Sequence, residues 1–116
     1  MRQALMGTAA AAVLLAGVAR RAVAQEADGQ SVYKEECKSC HGVNGVPPAR
    51  ARQQYKKIKA LGDDGFVAKL STDSIVTLLK KGIDKDMKSF SEKLDAAEMH
   101  AVAKYIKELA EKAKPA

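Results

Sequence analysis

Residues 37–41 read Cys37-Lys38-Ser39-Cys40-His41, and Cys37 and Cys40 are the only two cysteines in the chain. Two thiols three positions apart, followed at once by an imidazole, give the C-x-x-C-H spacing by which a c-type haem is attached. Each thiol can form a thioether to a vinyl-derived carbon of one porphyrin. The ring of the next residue then lies beneath the iron and offers it a proximal nitrogen. Other chemistries fit the pair less well. A thioredoxin-type redox motif accompanies a βαβ unit, and no strand pattern is visible here. A structural zinc site usually takes four Cys or His ligands, whereas this chain has two of each in total and no second cluster. A disulfide between Cys37 and Cys40 would close too short a loop to stabilise much.

Working outward toward the N-terminus, residues 1–24 read as a secretory signal. Arg2 supplies the positive start, residues 4–19 are apolar and uncharged, and Ala22-Val23-Ala24 is a small-x-small cleavage site. The apolar run is too short and too rich in alanine for a membrane span. Arg20 and Arg21, lying between the run and the cleavage site, are atypical there, and an uncleaved anchor is the other reading. Export agrees with the haem, because c-type haem is attached outside the cytoplasmic membrane in bacteria. The expected mature domain is residues 25–116, with no membrane span after cleavage.

That mature part is one small domain with few aromatic side chains for a core. A buried porphyrin would supply much of the missing apolar surface, so the haem-free chain is expected to fold poorly. The full chain holds 20 Lys and Arg against 14 acids. Removing the leader with its three arginines leaves a net charge of +3. Well-mixed charges and scarce aromatics argue against nucleic acid as a partner.

The remaining pattern is helical, with breaks at glycine and proline. A first helix is expected over about 29–40, with Val32, Tyr33, Cys37 and Cys40 toward one side. Residues 42–48 (GVNGVPP) form a loop. A second helix is expected over 51–61, with Ala51, Tyr55 and Ile58 inward and Gly62 as its stop. Residues 63–65 (DDG) make a turn. Ser71 or Thr72 caps a third helix whose apolar face is Ile75, Val76, Leu78 and Leu79, and which ends at Lys80-Lys81-Gly82. Residues 83–93 are irregular. The last helix starts at Asp95, with Glu98 completing a capping box, and Val102, Tyr105, Ile106 and Leu109 recur at i, i+3, i+4 and i+7. The tail over 112–116 is expected to fray.

A haem iron held by one histidine has a second axial position. The mature chain has two methionines to offer, Met87 and Met99. Met87 lies in the irregular stretch between Asp86 and Lys88, an odd place for a core side chain and a suitable one for reaching over a haem. Met99 sits at the edge of the last helix's apolar face, where packing explains it. His100 groups with Lys104, Lys107 and Glu111 on the charged face and reads as a surface residue. Thioether ligation by Met87 favours the reduced state and raises the potential, as suits an electron carrier.

Together these residues resemble the small class I monohaem c-type cytochromes of the bacterial periplasm, over about residues 28–110. Gly29 and Tyr33 match the family's glycine and aromatic ahead of the motif, and Cys37 through Gly42 match C-x-x-C-H-G. Gly82, Met87 and Phe90 match the glycine before the ligand methionine and the aromatic after it. Tyr105 matches the aromatic by which the last helix packs on the first. The resemblance implies an all-α cytochrome c fold of about four helices around one covalently bound haem c per chain. It implies Cys37 and Cys40 as attachment points and His41 and Met87 as axial ligands. It also implies that Pro47 or Pro48 supplies a carbonyl to the proximal histidine. Two departures stand out: Lys88 follows Met87 where the family often has proline, and no tryptophan is present to hold a propionate, which leaves Tyr55, Arg50 or Arg52.

The functional expectation is a periplasmic, monomeric one-electron carrier, not an enzyme, working with redox partner proteins. Lys38, Lys85 and Lys88 are candidates for the haem-edge rim. Arg50, Arg52, Lys56, Lys57 and Lys59 form a second basic group, read as the outside of a helix in preference to a docking patch. The alternatives are a haem enzyme or gas sensor with an open sixth site, and a cytochrome subunit of a larger oxidoreductase.

Overall fold

Six α-helices and one 3-10 turn make up the regular structure of this computed structural model, which describes residues 27–113. The leader, its cleavage site and the last three residues lie outside the described part. In chain order the helices are α1 (Gly29–Glu36), α2 (Lys38–His41), α3 (Ala49–Gln54), α4 (Phe66–Lys69), α5 (Thr72–Lys81) and α6 (Ala96–Lys112), with the 3-10 turn Asp63–Gly65 before α4. Among the described residues no strand forms, and the one extended pairing is an isolated bridge between Ile83 and Met87.

The scaffold is α1 crossing α6, with α5 packed alongside. Val102 and Ala103 of α6 are wholly buried, and Tyr33, Leu79, Ile75, Met99, Ile106 and Leu109 close around them. Each fully buried aliphatic side chain of this kind contributes about 1.5–3 kcal/mol. Gly29 makes the crossing possible, because a Cβ there would run into the Ala101 carbonyl and approach the Tyr105 Cβ. One turn on, the Tyr33 and Tyr105 rings meet edge to face, with centroids 5.3 Å apart and planes at 62°. This is the aromatic contact that the resemblance implied.

The helix ends follow their expected signals. Asp28 accepts from Gln30 N and starts α1, and Ser71, not Thr72, caps α5 by accepting from Ser74 N. At α6 both halves of the capping box form: Glu98 N donates to Asp95 Oδ1 at 2.8 Å, and Asp95 N donates to Glu98 Oε1 at 3.1 Å.

Three expectations need correction. The first helix is not continuous to residue 40: it breaks at Cys37, whose φ of −118° departs from helical geometry, and resumes as the single turn α2. The second helix spans Ala49–Gln54, not 51–61. Continuing it would stack Arg52 over Lys56, a like-charge i, i+4 pair. Tyr55 instead turns extended, at φ −118° and ψ 94°. Finally, the turn at 63–65 is a 3-10 turn that runs directly into the unanticipated α4, with Asp64 and Gly65 both at positive φ.

Candidate haem site

Two irregular segments face each other across one cleft. The first runs from the end of α3 through residues 55–61, and the second is the loop over 82–93. The cleft is lined by Cys37, Cys40 and His41 from the α1–α2 corner, by Tyr55 and Ile58 from the first segment, and by Ile83, Met87 and Phe90 from the second. It holds about 960 Å³ of empty space, counted to its open mouth. Both thiols, the imidazole and the thioether singled out in the sequence therefore share one cavity. Met99 is buried in the scaffold and His100 is exposed, each where its helix face predicted.

The break at Cys37 sets the corner. His41 N and Cys40 N both donate to Cys37 O, at 2.9 and 3.2 Å, so Cys40 and His41 are carried on one tight turn. Gly42 then leaves that turn at φ +79°, where a Cβ would strike the Val46 carbonyl, so glycine is required. The Tyr33 hydroxyl donates to Gly42 O at 2.7 Å and ties the corner back to the scaffold.

The donors' protonation suits a haem better than thiol chemistry. Cys37 is buried, and burial pushes its thiol up to about 11. A redox-active thiol needs the opposite shift. The two cysteines are free thiols, and among the described residues no group of three or more His, Cys, Asp or Glu is arranged to hold a metal ion. The zinc alternative has no ligand set. Burial also lowers the His41 pKa below the ordinary histidine value, which leaves a neutral ring with a lone pair to give. Its Nδ1 is closed off from solvent and meets no hydrogen-bond partner. The expected carbonyl contact from Pro47 or Pro48 is therefore not made; the Pro48 carbonyl accepts from Arg52 N at the start of α3. A buried, neutral imidazole sharing one largely apolar cleft with two thiols and a thioether fits a covalently held iron porphyrin.

The Met87 loop is held without the proline that the family often has after its methionine. Ile83 and Met87 exchange both backbone hydrogen bonds, at 2.7 and 3.1 Å. Gly82 opens the loop at φ +75°, where a Cβ would press on the Met87 and Lys88 backbone. Behind it, the hydroxyls of Ser89 and Ser91 both donate to Lys80 O, and Phe90 N donates to Leu79 O at 2.9 Å. These bonds turn an irregular segment into a fixed one.

The charged residues fall differently from expectation. Lys88 lines the cleft, while Lys38 and Lys85 do not. Lys57 and Lys59, read from sequence as the outside of a helix, line it too, together with Glu36, Asp84 and Asp86. The sequence signal that could have found them is the absence of any acid over residues 37–62. Tyr55 and Arg50 share a small second recess beside Cys40, and Arg52 lines neither.

The fold and this cleft define a haem-binding, all-α electron-transfer domain. The family model for cytochrome c oxidase, cbb3-type, subunit III matches residues 24–106. Cytochrome c6 of Microcystis aeruginosa is 36% identical over 87 residues, covering 73% of this chain and 98% of the relative. Among solved structures, the KustC0563 c-type cytochrome superposes with a TM-score of 0.62 at 29% identity, covering 71% of this chain and 96% of its own. Cytochrome c6C from Synechococcus sp. PCC 7002 gives 0.53 at 25% identity, covering 72% of this chain and 95% of its own. The chain belongs to the small monohaem c-type cytochromes. Its cofactor is haem c, and it is an electron carrier of the cytochrome c6 type, not an enzyme.

Proposed function

We propose that the protein is an exported, periplasmic carrier of single electrons, in which Cys37 and Cys40 hold the haem as thioethers and His41 and Met87 are its axial ligands. The observation that carries this reading is the meeting of those four side chains in one cleft. Residues 1–24 are the cleaved secretory signal and 25–116 the working domain. Consistent with a carrier free of the membrane after cleavage, no helix among the described residues is long and apolar enough to cross one.

When bound, the haem supplies a one-electron ferric/ferrous couple, and the chain's residues set the terms on which it works. His41 presents a neutral nitrogen from the α2 turn. Met87 presents its sulfur from the opposite wall, held there by its paired backbone bonds with Ile83. A thioether in that position stabilises the reduced state and denies the site to small ligands. Ile58, Ile83 and Phe90 give the cleft apolar walls, and the Tyr33 hydroxyl fixes the corner that carries His41.

Redox titration of the exported protein tests the reading. The expected result is one reversible couple with a slope of one electron and a positive potential. A low potential, or a couple that drifts with pH across the histidine range, would contradict His/Met ligation. The matching family is described as an oxidase subunit, which supports a second reading, a cytochrome held in a larger oxidoreductase. Gel filtration of the native extract separates the two: elution as a single chain, below the 12.4 kDa of the full sequence because residues 1–24 are gone, is the result expected of a free, monomeric carrier.

A further inference from the structure

Helix α5 ends on carbonyls that have no helical partner, and the Met87 loop takes two of them. Gly82 N closes the last helical bond on Leu78 O at 2.8 Å, which leaves Leu79 O and Lys80 O over. Phe90 N donates to Leu79 O at 2.9 Å. Lys80 O is taken by side chains instead: the hydroxyls of Ser89 and Ser91 both donate to it, the second at 3.1 Å. Ser91 N also donates to Ser89 Oγ at 3.2 Å, so the Ser89 hydroxyl joins the cluster together.

Met87 stands between two sets of contacts. Before it, the pairing with Ile83 closes the tip Asp84-Lys85-Asp86, in which Asp84 turns at φ +51°. That pairing lies within the loop and moves with it. Two residues after Met87, the bonds to Leu79 O and Lys80 O tie the loop's far end to α5. Lys88 between Met87 and Ser89 is not proline, so its φ is free and the backbone there has no stiffness of its own. The tip's ion pair, Lys57 Nζ with Asp84 Oδ2 at 3.9 Å, is exposed and weak.

Resting on the proposed His/Met ligation, we infer that Ser89 and Ser91 are positioning residues for Met87: by donating to Lys80 O they keep the thioether seated and the sixth position closed. A foreign ligand enters only when the loop lifts, so its apparent affinity is reduced by the fraction of molecules in that state. Each bond present only in the seated loop lowers that fraction. Hydroxyls as exposed as these act at the weak end for neutral hydrogen bonds, and the cluster together is worth a factor of about ten. Ser89, with two bonds, carries more of it than Ser91.

The test is a titration of the ferric, haem-loaded protein with imidazole, followed by loss of the far-red thioether band. A Ser89→Ala, Ser91→Ala double variant should bind imidazole about tenfold more tightly than the wild type. Ser89→Ala alone should gain about fivefold and Ser91→Ala about twofold. Ser89→Thr, which keeps the hydroxyl, should stay within about twofold of the wild type. Ser71→Ala removes the cap at the other end of α5, a comparable loss of stability away from the loop, and should leave the affinity unchanged. No gain in the double variant would overturn the inference. So would a gain in Ser71→Ala equal to that of the double variant, because the effect would then be one of general stability. A gain in Ser89→Thr equal to that of Ser89→Ala would show that the hydroxyl is not the cause, and the inference fails again. A wild-type protein without the far-red band is a separate result: it would refute ligation by Met87 itself, and the inference would fall with it.

Discussion

The α1–α6 crossing and the cleft opposite it are built on different principles. In the crossing, side chains do the specifying: Val102, Ala103 and Tyr33 are lost to solvent, and the Gly29 notch sets the approach. In the cleft, the backbone does it. Gly42 and Gly82 turn where side chains cannot, Ile83 pairs with Met87, and two serines converge on one carbonyl. The crossing fills its own space, whereas the cleft is walled but unfilled by protein. Part of this small domain's apolar interior is thus left to its cofactor, and the contrast can be attacked from either side.

The largest effect is expected from removing the haem. A Cys37→Ala, Cys40→Ala double variant should lose the cofactor and its sharp thermal transition, read by circular dichroism in the far and near ultraviolet. An intact, cooperative transition would show that the crossing suffices alone. Gly29→Val attacks the crossing directly. Its side chain has no room against Ala101, and a loss of about 3 kcal/mol or more is expected in denaturant unfolding of the haem-loaded protein. Met87→Ala should do the reverse, leaving the helical signal in place while the potential falls by on the order of 100 mV.

Tyr33→Phe joins the two regions. It removes the hydroxyl bond to Gly42 O, worth about 1 kcal/mol. Burial holds the Tyr33 pKa above the ordinary tyrosine value, so the stability it contributes is complete below about pH 10. Above that, the unfolded phenol ionises while the buried one resists, and stability falls. The variant should therefore show a flatter loss of unfolding free energy between about pH 9 and 11 than the wild type. The smallest effect is expected from His100→Ala on the exposed face of α6, with no change in spectrum or potential.

The two regions also differed in how far the sequence disclosed them. Helical periodicity and capping chemistry are local, so the Val102, Ile106 and Leu109 face, the Asp95–Glu98 box and the Ser71 cap could be read directly. That Cys37, Cys40, His41 and Met87 belong together could be read because the proposed chemistry demands a spacing at one end and leaves few methionines at the other, and the four do line one cleft. The cleft walls were less so. Residues 55–59 carry a helix-compatible spacing, and only their crowded charge and their task of closing the cleft explain why Tyr55 turns extended. The proline contact failed for a related reason: it depended on the path of residues 42–48, which the glycines at 42 and 45 decide through positive φ, and no periodicity reports that.

The central claim, that one iron is held between His41 and Met87, is tested most directly by the visible spectrum of the exported protein, ferric and ferrous, with and without carbon monoxide. The account predicts a weak far-red band in the ferric state, from thioether ligation, and a ferrous spectrum unmoved by the gas. A ferrous spectrum that shifts on adding carbon monoxide would contradict it and leave an open sixth site, as in a gas sensor or a haem enzyme.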